Sequence, residues 1–105
     1  MPQFALYRNL NPASRGRFPL LLDIQSDLLD PLATRIVVPL SLAGAARSRS
    51  MTTLTPLLRF ESKEYVAQVP QLSAMAVREL GAPVGSLSAA RAEILAAIDL
   101  LITGI

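Results

Sequence analysis

Residues 87–105, LSAARAEILAAIDLLITGI, carry the clearest periodicity in the chain, and the rest is read outward from them. At helical spacing Leu87, Ile94, Leu95, Ile98, Leu101, Ile102 and Ile105 share one broad stripe, while Arg91, Glu93 and Asp99 fall largely off it. That pattern predicts an amphipathic helix laid on a core. Ser88 is the expected N-cap, its hydroxyl accepting an orphan amide of the first turn, with Leu87 packing back on Ala92 as a weak staple. Gly104 tolerates the left-handed conformation that ends helices, so the helix should stop near Thr103 and Gly104. Ile105 then either packs on the chain's own core or is offered to another protein.

Upstream of the helix the periodicity shortens. Residues 3–8 (QFALYR) alternate as a strand with two usable faces. Residues 9–16 (NLNPASRG) have the composition of an exposed loop or wide turn. Residues 20–25 (LLLDIQ) read as a strand buried on both faces over part of its length, and residues 26–33 (SDLLDPLA) as a turn. Leu28 and Leu29 break that turn's polarity and are expected to be covered by something. Residues 35–40 (RIVVPL) form a β-branched strand, with Pro39 placed at an edge or at the strand's end because it cannot donate to a ladder.

Residues 41–53 are small, polar and basic, and fit a mobile loop or a short helix equally well. Residues 54–60 and 63–69 flank the polar pair Glu61 and Ser62 and make the clearest hairpin of the sequence. Residues 70–80 offer either a further strand or a helical turn, and residues 81–83 (GAP) break the chain before the final helix. Several short strands and one terminal helix add up to a mainly β fold: a small β-barrel or rolled sheet, capped by that helix.

Composition narrows the function. The 105 residues suffice for one domain with a modest core, yet 51% are apolar and the mean hydropathy is +0.42. So much apolar surface on so small a body points to a homodimer. Cysteine and histidine are absent, which removes thiol chemistry, the usual transition-metal ligands and the commonest general base. No cofactor is expected. Nine of the ten basic residues are Arg, a bias that fits planar contacts to carboxylate or phosphate and fits high-GC codon usage equally well. Charged residues or prolines interrupt every long apolar run, and the N-terminus lacks a cleavable targeting pattern, so a cytoplasmic protein is expected. No Gly-rich phosphate loop or basic heptad array is present, so neither a nucleotide enzyme nor sequence-specific nucleic-acid binding is expected.

The initial QF followed by Tyr7, then LLLDIQSDLLD, RIVVPL, the later LS and AIDL, and the closing GI resemble the CcdB family, the toxins of toxin–antitoxin pairs. The likeness runs through nearly the whole chain, with a few extra residues in the loop at 9–17 and a weaker stretch at 41–75. It implies an SH3-like barrel with a small additional sheet and a C-terminal helix, assembled as a symmetric dimer. It also implies action by binding rather than catalysis: the dimer engages the A protein of DNA gyrase, traps the cleaved complex, and is neutralised by a CcdA-like antitoxin. Carried over by position, the gyrase-binding surface comprises Ser26 and Leu28 from the turn, with Asp99, Ile102, Thr103, Gly104 and Ile105 from the helix end.

Three of these positions depart from the family pattern. Thr103 stands where a Trp precedes the Gly-Ile pair, Asp99 where an Asn is expected, and Ile102 where a Phe is expected. An antitoxin segment of acidic, disordered character would meet the positive charge of Arg8, Arg15 and Arg17, and of Arg47 and Arg49. The rival reading is an endoribonuclease of the MazF type, which shares the barrel and would cast Arg47 or Arg49 with Glu61 or Glu64 as its chemistry. A further alternative is a CcdB-like protein with no gyrase activity.

Overall fold

The structure is a computed structural model that describes residues 2–44 and 53–104. It contains seven strands: β1 (Ala5–Arg8), β2 (Leu20–Asp23), β3 (Thr34–Leu42), β4 (Leu57–Phe60), β5 (Lys63–Ala67), β6 (Ser73–Ala76) and β7 (Pro83–Ser86). One helix follows, α1 (Arg91–Thr103). The strands form a single antiparallel sheet in the order β4-β5-β3-β2-β1-β7, curled into a half-barrel, with β6 paired to the first half of β3. The mainly β fold with its C-terminal helix is therefore as expected.

Alternation along the strands builds two cores, one on each face of the sheet. Leu6, Leu20, Leu22, Val38 and Leu40 point to one side, where Ile94 and Ala97 of α1 close over them. Ala5, Tyr7, Leu21 and Val37 point to the other, covered by Leu80 and Met75. This is why LLLD at residues 20–23 has no polar alternation: all four positions are buried. The helix stripe is only partly used. Ile94 and Ala97 are buried and Leu95 and Ile98 half-buried, whereas Leu101 and Ile102 emerge into solvent.

The hairpin forms as expected. Glu61 (φ 50°) and Ser62 (φ 67°) are both left-handed between the paired residues Phe60 and Lys63. Two consecutive positive φ values are the signature of a type I′ turn, whose twist matches that of the flanking strands.

Four expectations need correction. Pro39 lies inside β3, not at an edge or end, opposite Leu21. The side of β3 away from β2 changes partner there, from β6 (Val37 opposite Ser73) to β5 (Leu40 opposite Ala67). The missing amide of Pro39 faces that joint, while its carbonyl accepts from the Gln68 amide at 3.0 Å. The break assigned to residues 81–83 ends instead in β7, which pairs with β1.

Ser88 is not the side-chain cap of the helix. The chain enters α1 through a 3-10 turn, Ser88–Ala90, and the Ser86 hydroxyl accepts the Ser88 amide at 3.2 Å. Nothing within the described chain covers Leu28 or Leu29, which remain 90% and 48% exposed. The C-terminal cap is as expected: Gly104 adopts φ 77° and its amide bonds to the Leu100 carbonyl at 3.1 Å. Of the stretch at residues 41–53, β3 runs on to Leu42, and residues 45–52 lie outside the described residues.

Candidate partner-binding site

The turn after β2 combines an apolar tip with a charged foundation. Ser26 starts a 3-10 turn, Asp27–Leu29, its hydroxyl accepting the Leu28 amide at 3.2 Å. The Leu29 and Asp30 amides close on the carbonyls of Ser26 and Asp27 at 3.0 and 3.1 Å. These bonds close the turn's backbone, and the Leu28 side chain is left 90% exposed. Leu29 and Leu32 are also exposed, at 48% and 50%.

Beneath the turn, Arg35 is completely buried in β3. Its Nε donates to Asp23 Oδ2 at 2.8 Å, and its Nη2 donates to Asp23 Oδ1 at 3.1 Å and to the Gln25 carbonyl at 3.2 Å. Its Nη1 reaches Asp30 Oδ1 at 3.2 Å. The Gln25 side chain donates to the Leu29 carbonyl at 3.2 Å and accepts the Ile36 amide at 3.1 Å. Asp23 is also fully buried, so this is a two-pronged pair of the kind only a guanidinium can make. Tyr7 lies on the same sheet face. Burial, and after it the charge of Asp23, push its phenol above the ordinary range, while Arg35 pulls the other way. Its hydroxyl is enclosed and finds no hydrogen-bond partner among the described residues.

Periodicity and family resemblance do not single out this cluster, although the sequence holds a signal for it. Asp23 interrupts an apolar run at a buried position, and Arg35 opens another run on the strand expected beside it. Opposite charges in adjacent buried strands are a pairing signal.

Gln3 ties the turn to the helix. Its amide donates to Asp27 Oδ1 at 2.7 Å and its side chain to the Ile24 carbonyl at 3.1 Å, while its Oε1 receives Arg91 Nη1 at 3.5 Å. Phe4 next to it takes φ 69°, a costly conformation for a residue with a Cβ, of order 1–3 kcal/mol. Bonds to the Asp23 carbonyl and from the Leu87 amide, at 2.6 and 2.8 Å, hold it there.

The two halves of the expected surface are thus joined through the start of α1, at Arg91, and not through its end. Asp99 lies about 12 Å further along the helix axis, at 1.5 Å per residue. Asp99, Ile102, Thr103 and Gly104 are all exposed, Ile102 at 69%. Thr103 is occupied locally, its hydroxyl donating to the Asp99 carbonyl at 2.7 Å. Ile105 lies outside the described residues. Of the expected surface, therefore, Leu28 and Ile102 are the two large apolar residues found exposed among the described residues, and they lie on separate elements.

The basic residues expected to meet an antitoxin divide similarly. Arg8 ends β1, and Arg15 and Arg17 lie on the following loop, all three exposed. Asn9 organises that loop: its Nδ2 donates to Ser14 Oγ and the Phe18 carbonyl at 3.0 and 2.9 Å, and its Oδ1 accepts the Asn11 amide at 3.0 Å. The Arg17 guanidinium stacks 5.2 Å above the Phe18 ring. A groove of about 310 Å³ lies beside the loop, lined among others by Asn9, Phe18, Met75 and Glu79. Arg47 and Arg49 lie outside the described residues. Of the residues cast for ribonuclease chemistry, Glu61 heads the hairpin turn and Glu64 lies in β5.

A family model described as CcdB protein matches residues 3–104 of the 105. The chain belongs to the CcdB family. That membership supports a toxin of a toxin–antitoxin pair, in a family that poisons gyrase rather than catalysing a reaction of its own. The match covers the leucine turn, the basic loop and the helix end through Gly104. Among the described residues no helix is long and apolar enough to cross a membrane, and no group of three or more His, Cys, Asp or Glu side chains gathers where a metal could sit.

Proposed function

We propose that this CcdB-family chain acts as a homodimer that binds the A protein of DNA gyrase, holds the enzyme in its DNA-cleaved form, and is neutralised by a CcdA-like antitoxin. The observation that carries the reading is Leu28, presented at 90% exposure on a turn closed by its own hydrogen bonds. A leucine held this way in water gains about 1.5–3 kcal/mol when a partner covers it. Ile102 offers a second such point, and a two-fold axis would double both. The exposed Arg8, Arg15 and Arg17 supply charge to an acidic antitoxin segment, as does the basic stretch containing Arg47 and Arg49.

Thr103 shapes how the site works. With its hydroxyl turned back to the helix it offers only a methyl outward, so binding rests on Leu28 and Ile102 rather than on an aromatic anchor. Incubating the purified protein with gyrase, ATP and supercoiled plasmid should accumulate linear DNA after denaturation. Leu28→Ser and Ile102→Ser should each reduce it. Absence of linear DNA from a folded, dimeric wild type would overturn the reading.

A further inference from the structure

The buried Arg35 does more than neutralise Asp23. Three of its nitrogens reach four acceptors, and those acceptors bracket the turn: Asp23 and the Gln25 carbonyl precede it, and Asp30 follows it. Gln25 adds a bond to the Leu29 carbonyl, inside the turn itself. A 3-10 turn of three residues has little intrinsic stability, and exposed turns of this kind open readily unless something pins both ends. Here one fully buried guanidinium reaches acceptors on both sides.

We propose that Arg35, through Asp30 and with Gln25, is a positioning device that holds the turn in the one conformation that displays Leu28 to a partner. The inference rests on the proposed gyrase-binding role of that turn but makes a separate claim, that turn order is set from beneath by the ion pair. Arg35 touches no partner itself. Asp30, whose side chain is 49% exposed, is the end of the device that can be removed without opening the core.

The test uses the full-length protein and four variants: Asp30→Ala, Asp30→Glu, Leu28→Ala, and the double variant Asp30→Ala with Leu28→Ala. Amide hydrogen exchange is read at residues 28–30, beside thermal unfolding and the affinity for the isolated gyrase A protein. For Asp30→Ala, exchange at those three amides should rise about tenfold or more while core amides such as those of β2 and β3 stay protected. Its affinity for the gyrase A protein should fall about fivefold, and Asp30→Glu should recover most of both effects. In the Leu28→Ala background, Asp30→Ala should add no further loss of affinity, because the two act as one unit.

Exchange at 28–30 unchanged by Asp30→Ala would overturn the proposal. So would a rise spread evenly over the whole protein together with a lower unfolding temperature, since the pair would then be an ordinary stabilising contact. Additive losses in the double variant would overturn it as well. If the wild type fails to bind the gyrase A protein while the exchange result holds, the gyrase reading falls and the ordering role of Arg35 stands.

Discussion

Two turns of this protein span similar gaps with opposite designs. The Glu61–Ser62 turn sets its shape in its own backbone, with two left-handed residues and polar side chains in water. The turn at residues 26–30 instead depends on side chains outside it: Arg35 and Gln25 below, and Gln3 alongside. The first turn exposes polar side chains, the second a leucine. A turn whose conformation is self-sufficient can be solvated at no cost. A turn that must expose apolar surface gains nothing from folding over it, and so has to be held by something else.

The largest effect expected from this contrast is at the foundation. Arg35→Ala leaves Asp23 charged and enclosed, and should destabilise the fold by about 3–5 kcal/mol in urea unfolding. On the hairpin side the sensitive point is packing. A Cβ on Gly85 of β7 would run into the Phe60 ring at the end of β4, so Gly85→Ala should cost about 1–3 kcal/mol.

Replacing the hairpin turn itself should act in the other direction. Glu61→Asn with Ser62→Gly suits two positive φ values better, and should raise stability by about 1 kcal/mol. A comparable exchange at residues 27 and 28 should give no such gain, because local conformational preference does not set that turn.

Tyr7 provides a pH readout of the charged foundation. Its folded-state pKa is raised by burial and then by Asp23, so the unfolded chain loses the phenol proton first as pH rises. Stability should therefore be intact below about pH 10 and decline above it, a slope that Tyr7→Phe should reduce in alkaline unfolding curves. The smallest effect on folding belongs to Leu28→Ser. At 90% exposure it should shift stability by no more than about 0.5 kcal/mol, while plasmid cleavage with gyrase falls.

The same contrast explains how much can be read from the sequence. The hairpin is legible because Glu61 and Ser62 sit between two apolar runs and the turn needs nothing else. The helix and its Gly104 cap are legible for the same local reason. Pro39 misleads because its place depends on where β3 changes partners, and β7 is hidden because Gly81 and Pro83 look like breakers. Gly85 is small on account of Phe60, a residue far away in sequence. Ala97 does not register as core because its role is to let the helix sit close to the sheet, which shows as burial and not as hydrophobicity.

For the site, Leu28 and Ile102 can be placed by resemblance to a family, and both prove exposed. The support beneath Leu28 cannot, because Arg35 looks from sequence like the start of a strand. Its value comes from Asp23, Gln25 and Asp30, which only the fold brings to it.

The pairing of β1 with β7 carries a consequence in time. Ala5 lies opposite Ser86, so one edge of the sheet is built by two strands some eighty residues apart in sequence. Closing a loop of that length is entropically slow and cannot be assisted by local propensity. The hairpin of β4 and β5 can form within microseconds, whereas β1 and β7 must await a search through most of the chain. The folding rate should consequently respond to changes that favour this long closure far more than to a better turn at residues 61 and 62.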